Sequence, residues 1–123
     1  MSPSVEKKLK ELPPGPLFWR IENFRAVFQA PEYLLRIMNV KAPPGWRSPE
    51  HSHSGSEAFY VLKGRVGHKS SHGTHYADAK TVMNSHDADM PMQVFTASEA
   101  EVELFAMVVV DATRPFSSPA KLD

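Results

Sequence analysis

Two histidines two residues apart, His51 and His53, are followed four residues later by Glu57. Side chains of an extended segment alternate between faces, so both imidazoles are expected to leave the chain on the same side. Ser54, Gly55 and Ser56 lie between them and Glu57. These are turn-forming residues that can reverse the chain, returning Glu57 on the neighbouring strand of one hairpin. Two imidazoles and a carboxylate gathered this way suit a divalent transition metal. Zn, Cu, Fe and Ni favour imidazole, and the carboxylate adds anionic charge. The plainer use of such a segment is a solvated loop rich in serine and histidine, which leaves the glycines at 45 and 64 without a role.

Those glycines complete a longer spacing. Gly45, five residues, His51-x-His53, three residues, Glu57, six residues and Gly64 together resemble the first motif of the cupin superfamily. The resemblance implies an all-β fold, a small antiparallel double-stranded β-helix or jelly-roll barrel, with one metal held between two sheets. In that family a second motif follows: Gly, five residues, Pro-x-Gly, two residues, His and, three residues on, Asn. Its histidine completes the metal site. Registered on the last apolar strand, these positions fall on Thr81, Asp87, Asp89, Met92 and Thr96, and Ala88-Asp89-Met90-Pro91-Met92 is similar to the family's Ala-Gly-x-Pro-His. Met92 therefore stands where the histidine is expected.

The implied ligand set is His51, His53, Glu57 and Met92, holding one divalent transition metal (Cu, Fe, Ni, Zn or Mn). A thioether is soft and neutral, which favours copper, best as Cu(I). Met92 can instead simply fill apolar space. That leaves two histidines and one carboxylate with open positions, as in non-haem iron oxygenases; His86 is a further candidate if its loop turns inward. Glu57 is needed as a ligand or, if displaced, as a general base, and is the candidate catalytic residue.

Composition narrows the function classes. The 123 residues fall in the range of one domain, and 14 basic residues balance 14 acidic ones, so no charge surplus points to nucleic acid. With no cysteine, disulfides, thiolate metal sites and cysteine nucleophiles are excluded. The apolar run at 104–110 is too short to cross a bilayer. Residues 1–9 lack the apolar core of a signal peptide, so a cytoplasmic protein without a membrane partner is expected.

Positioning elements can be read along the chain. Residues 5–12 suit a short helix with Leu9 and Leu12 on one side, ended by Pro13-Pro14-Gly15-Pro16, because proline lacks the amide donor and restricts its neighbour. This divides the chain into an N-terminal arm over 1–16, a barrel over 17–116 and a C-terminal tail over 117–123. Segments 18–28, 33–41 and 57–62 are rich in aromatic and branched residues and read as strands, with Glu57, Phe59 and Val61 on one face. Strands are also expected over 65–68 and 74–82, joined by a turn over 69–73. His68, His72 and His75 then form a second cluster on a solvated hairpin. Segment 101–110 begins with one wet face and becomes apolar on both, which requires cover on both sides. A second subunit is the expected cover, giving a homodimer, with residues 111–123 as the competing one.

A barrel interior bounded by Met38, Phe59, Met92 and Phe95 is apolar and narrow, suited to a small organic molecule. Arg36, Arg47 and Arg65 are candidates to recognise a substrate carboxylate. A metal with open positions can bind substrate or dioxygen, polarise a carbonyl or activate water. The resemblance implies a metal-dependent enzyme, dioxygenase-like or an isomerase or lyase. It equally allows a non-catalytic cupin that binds or senses a small ligand or metal, or a metal-free barrel, because the fold does not choose among them.

Overall fold

In strand β8 (Val102–Asp111), every second side chain from Val102 to Val110 is almost completely buried, as a period-two element facing a core requires. Its partner β1 (Tyr33–Ala42) runs antiparallel to it along the whole length, from Tyr33 opposite Asp111 to Ala42 opposite Val102. The computed structural model describes residues 30–85 and 88–123. Among them, seven further strands complete the architecture: β2 (His51–Ser52), β3 (Gly55–Lys63), β4 (Arg65–Ser70), β5 (Gly73–Asp78), β6 (Val82–Ser85), β7 (Met92–Thr96) and β9 (Ser118–Pro119). They form a four-stranded sheet in the order β1-β8-β3-β6 and a five-stranded sheet in the order β5-β4-β7-β2-β9.

Phe59, Val61 and Leu104 of the first sheet and Val66, Met92 and Val94 of the second belong to one buried cluster, so the two sheets pack face to face around a shared core. All ladders between the strands are antiparallel. This is the expected all-β barrel. The N-terminal arm over 1–16, the strand expected over 18–28 and His86 lie outside the described residues.

Two connections differ from the sequence reading. The segment 51–57 is a corner between the sheets rather than a hairpin. β2 pairs with β7 and β9, whereas β3 pairs with β8 and β6, so His51 and Glu57 come from opposing sheets. The strand expected over 74–82 is broken into β5 and β6 by a turn in which Lys80 takes φ 68° and the Thr81 amide donates to the Asp78 carbonyl. That turn is fastened by the Lys80 amide to the Val61 carbonyl at 2.7 Å, and it carries the chain from one sheet to the other.

The framing glycines serve the same purpose. Gly45 and Gly64 have φ 78° and 79°, a region costly for other residues. A Cβ at Gly64 would also lie 2.7 Å from the Glu101 carbonyl oxygen. Asp89, aligned with the glycine of the second family motif, likewise takes φ 63°. The segment 111–123, the competing cover for β8, instead reaches the edge of the other sheet, where Ser118 and Pro119 pair with Ser52 and His51.

Candidate functional site

His51 and His53 sit at the corner where the chain leaves the five-stranded sheet, with ring centroids 5.1 Å apart and planes at 86°. Each Nδ1 is engaged by a main-chain carbonyl. His51 meets the Pro49 oxygen at 2.7 Å, and His53 meets the Phe116 oxygen at 2.7 Å. A carbonyl only accepts, so both rings carry the proton on Nδ1 and present Nε2 as a lone pair, the second-sphere arrangement common to metal-ligating histidines. The Phe116 ring packs edge-on against His53 at 4.9 Å between centroids. Asp89 adds another restraint: its amide donates to the His53 carbonyl at 2.7 Å, and its carboxylate is held by Arg114.

Glu57 enters from β3 in the opposing sheet. It is 5% exposed, and its Oε1 has no hydrogen-bond partner among the described residues. Oε2 lies 3.8 Å from His53 Nε2, too far for a hydrogen bond. Burial pushes the Glu57 carboxyl up to about 8. Burial also lowers His53, opposed by its bond to the Phe116 carbonyl. At neutral pH the pair is therefore two neutral groups, not an ion pair, and a buried carboxyl oxygen is left without a partner. An unsatisfied group of this kind is costly, and a cation between His53 and Glu57 would relieve it. Among the described residues, however, no three His, Cys, Asp or Glu side chains converge closely enough to form a closed metal site.

Met92 lies directly opposite His51 in the β2–β7 ladder and is 1% exposed. Its sulfur faces His68 Nε2 at 3.3 Å. His68 departs from the sequence reading, which placed it on a solvated hairpin with His72 and His75. It is 4% exposed and lies on β4 opposite Val94, two residues from the buried Val66, so strand alternation turns it into the barrel. His72 and His75 are exposed.

A cavity of about 160 Å³ adjoins the site and is bordered mainly by apolar side chains, with Met38, Phe59 and Phe95 among its lining residues. Phe59 and Met38 lie in one cross-strand row, Met38 opposite Ala106 and Ala106 opposite Phe59. Phe95 belongs to the row of Gly67 and Tyr76, on the face opposite His68. Its ring covers Gly67, packs on Tyr76 and lies beneath the Arg47 guanidinium. Trp46, half-buried, is a wall residue the sequence did not single out; its carbonyl accepts from the Thr96 amide.

The three arginines separate by position. Arg65 stacks on Tyr76 and approaches Asp78, and Arg47 stacks on Phe95. Arg36 shares a cross-strand row with Val108 and Glu57 and rests 3.9 Å over the Phe116 ring, beside the histidines.

Solved structures place this architecture among known folds. A cupin-like protein from Thermotoga maritima matches at a TM-score of 0.62 and 15% identity, over 72% of this chain and 65% of that one. The DMSP lyase DddQ from Ruegeria pomeroyi matches at 0.60 and 17%, over 70% and 43%. The polyketide cyclase RemF from Streptomyces resistomycificus matches at 0.58 and 16%, over 72% and 62%. No family model and no curated protein matches the sequence. The chain has the double-stranded β-helix fold of cupin-like proteins, and it spans less than two thirds of the length of each of these three structures. Proteins of that fold include enzymes of unlike chemistry, so function must be argued from the site.

Proposed function

We propose that this protein is a metal-dependent enzyme acting on a small organic molecule, with His51, His53 and Glu57 as the ligands of one divalent transition metal. The observation that carries the reading is the paired fixing of His51 by the Pro49 carbonyl and His53 by the Phe116 carbonyl, beside a buried carboxyl oxygen with no partner. The residues fit a cation: two neutral nitrogen donors are already oriented, and a carboxyl held neutral by burial becomes an anionic donor when a positive charge arrives. Bound there, the metal supplies Lewis-acid or oxygen chemistry at its open positions.

The chain's own groups do the rest. Met38, Phe59 and Trp46 border an apolar cavity of about 160 Å³, which restricts the substrate to a small body and keeps water from the site. Arg36 offers a cation at the histidine end for an anionic substrate group. Glu57, if released from the metal, holds or accepts a proton at its carboxylate as a general base, because its affinity lies near neutral pH. Tyr33, Leu35, Ile37 and Phe105 expose apolar surface on the outer row of the four-stranded sheet, which supports pairing of two chains through this face.

Nickel titration of the intact protein tests the ligand assignment. Stoichiometric binding is expected in the parent protein and its loss in folded His51→Ala and His53→Ala variants. Stoichiometric nickel retained by either variant refutes it. A non-catalytic binding barrel is the second reading, favoured by the lack of a closed ligand set among the described residues. In that case the neutral Glu57 carboxyl donates directly to a ligand in the cavity.

A further inference from the structure

The contact between His68 and Met92 is chemically unusual. Both side chains are buried, His68 at 4% and Met92 at 1% exposure, and Nε2 lies 3.3 Å from Sδ. Buried imidazoles normally face strong hydrogen-bond partners, whereas a thioether is among the weakest acceptors a protein offers. A thioether only accepts, so in the metal-free protein the Nε2–H of His68 donates to Sδ, and an ion taken up between the two would send that proton to Nδ1. Their separation suits two ligands of one ion, since bonds of about 2.1 and 2.3 Å to nitrogen and sulfur would then meet at about 100°.

A third donor adjoins them. His51 is the ladder partner of Met92, so their side chains leave the sheet on the same face. Its Nδ1 is occupied by the Pro49 carbonyl, which leaves Nε2 for a ligand. The surroundings are apolar: Phe59 lies 6.3 Å from His68 between ring centroids, and Val94 is its ladder partner. We propose that His68, Met92 and His51 form a site of two imidazoles and one thioether that selects a cuprous ion. Three neutral donors, one of them a soft thioether, in largely apolar surroundings match a soft monovalent ion, whereas a divalent ion would bring a second uncompensated charge into those surroundings. The site rests on the reading of His51 as a ligand and adds His68, from a strand outside both motifs. Because His51 is shared, a cuprous ion here and a divalent ion at His53 and Glu57 exclude each other.

The test is anaerobic titration of the intact protein with cuprous ion against a chromophoric cuprous chelator, paired with X-ray absorption of the copper-loaded protein. One cuprous ion per chain is expected, with a sulfur scatterer at about 2.3 Å. Met92→Leu and His68→Phe should weaken cuprous binding at least roughly tenfold while leaving nickel binding intact. His53→Ala should do the reverse. No cuprous binding, a copper shell without sulfur, or unchanged cuprous affinity in Met92→Leu overturns the proposal, and the nickel results then judge the divalent site separately. Loss of cuprous and nickel binding together in His53→Ala also overturns it, by placing both ions on the first-motif residues. Absent nickel binding with sulfur-ligated copper intact overturns the divalent reading alone. If His68→Phe fails to fold, the sulfur shell of the parent protein still decides.

Discussion

In the metal-free protein, replacing Glu57 with glutamine should change how stability depends on pH. The Glu57 carboxyl is buried without a partner at Oε1, and burial raises it from 4.5 to about 8. Below pH 4.5 the folded and unfolded chains both carry the proton, and the residue contributes nothing to pH dependence. Between 4.5 and 8 the unfolded chain releases the proton while the folded chain retains it, so stability falls by about 1.4 kcal/mol per pH unit. The loss reaches about 3 kcal/mol by pH 7 and levels off above pH 8. Water entry and relaxation around the carboxylate make this an upper bound.

Glutamine removes the titration. Its buried amide keeps a constant cost of about 1–3 kcal/mol for unmade hydrogen bonds. The stability of Glu57→Gln relative to the parent should therefore rise by about 2–4 kcal/mol between pH 5 and pH 8. Urea denaturation of chelator-treated protein across that range measures it. His53 and His68 are both lowered by burial, so their contributions are fully present above 6.5 and fade as pH falls through it; they occur in both proteins and cancel in the difference. Parallel stability curves for parent and variant would refute the reasoning, because they would mean that Glu57 titrates normally and is neither dry nor unpartnered. A saturating divalent ion should abolish the parent's decline by stabilising the carboxylate.

Three further outcomes are expected. Gly64→Ala should cost about 1–3 kcal/mol in chemical denaturation, since φ is 79° and its Cβ would meet the Glu101 carbonyl at 2.7 Å. Removing residues 115–123 takes away the Phe116 carbonyl that orients His53 and the β9 pairing of β2. Nickel affinity should fall by roughly 10–100-fold while the far-ultraviolet dichroism stays that of a β-barrel. Met92→His should place an imidazole opposite His51 and raise nickel affinity at least roughly tenfold; unchanged affinity in the titration would show that position 92 does not reach a divalent ion.

Much of the fold was legible because its determinants are local. Val102, Leu104 and the residues after them alternate as a buried strand must, and Gly45 and Gly64 occupy left-handed positions that few other residues tolerate. Asp89 takes the same left-handed region at φ 63°, although its residue type does not announce it. The rest depended on pairing that no local pattern encodes. His68 shares period-two spacing with Val66, a signal that would have turned it inward, but its nearness to His72 and His75 suggested a solvated tip. Phe116 holds His53 from 63 residues away, and nothing near either residue announces the contact. The corner at His53 and Ser54 resembles a hairpin in sequence because the same small residues serve both, and only the ladders of β2 and β3 with different partners tell them apart.

Elemental analysis of protein purified without an affinity tag tests the central claim most directly, with His53→Ala prepared in parallel. The account predicts about one transition-metal ion other than copper per chain in the parent, as purified or after reconstitution with nickel, and a clear loss in the variant. A parent protein that takes up no such ion under either condition, or a His53→Ala variant that retains it in full, would contradict the account.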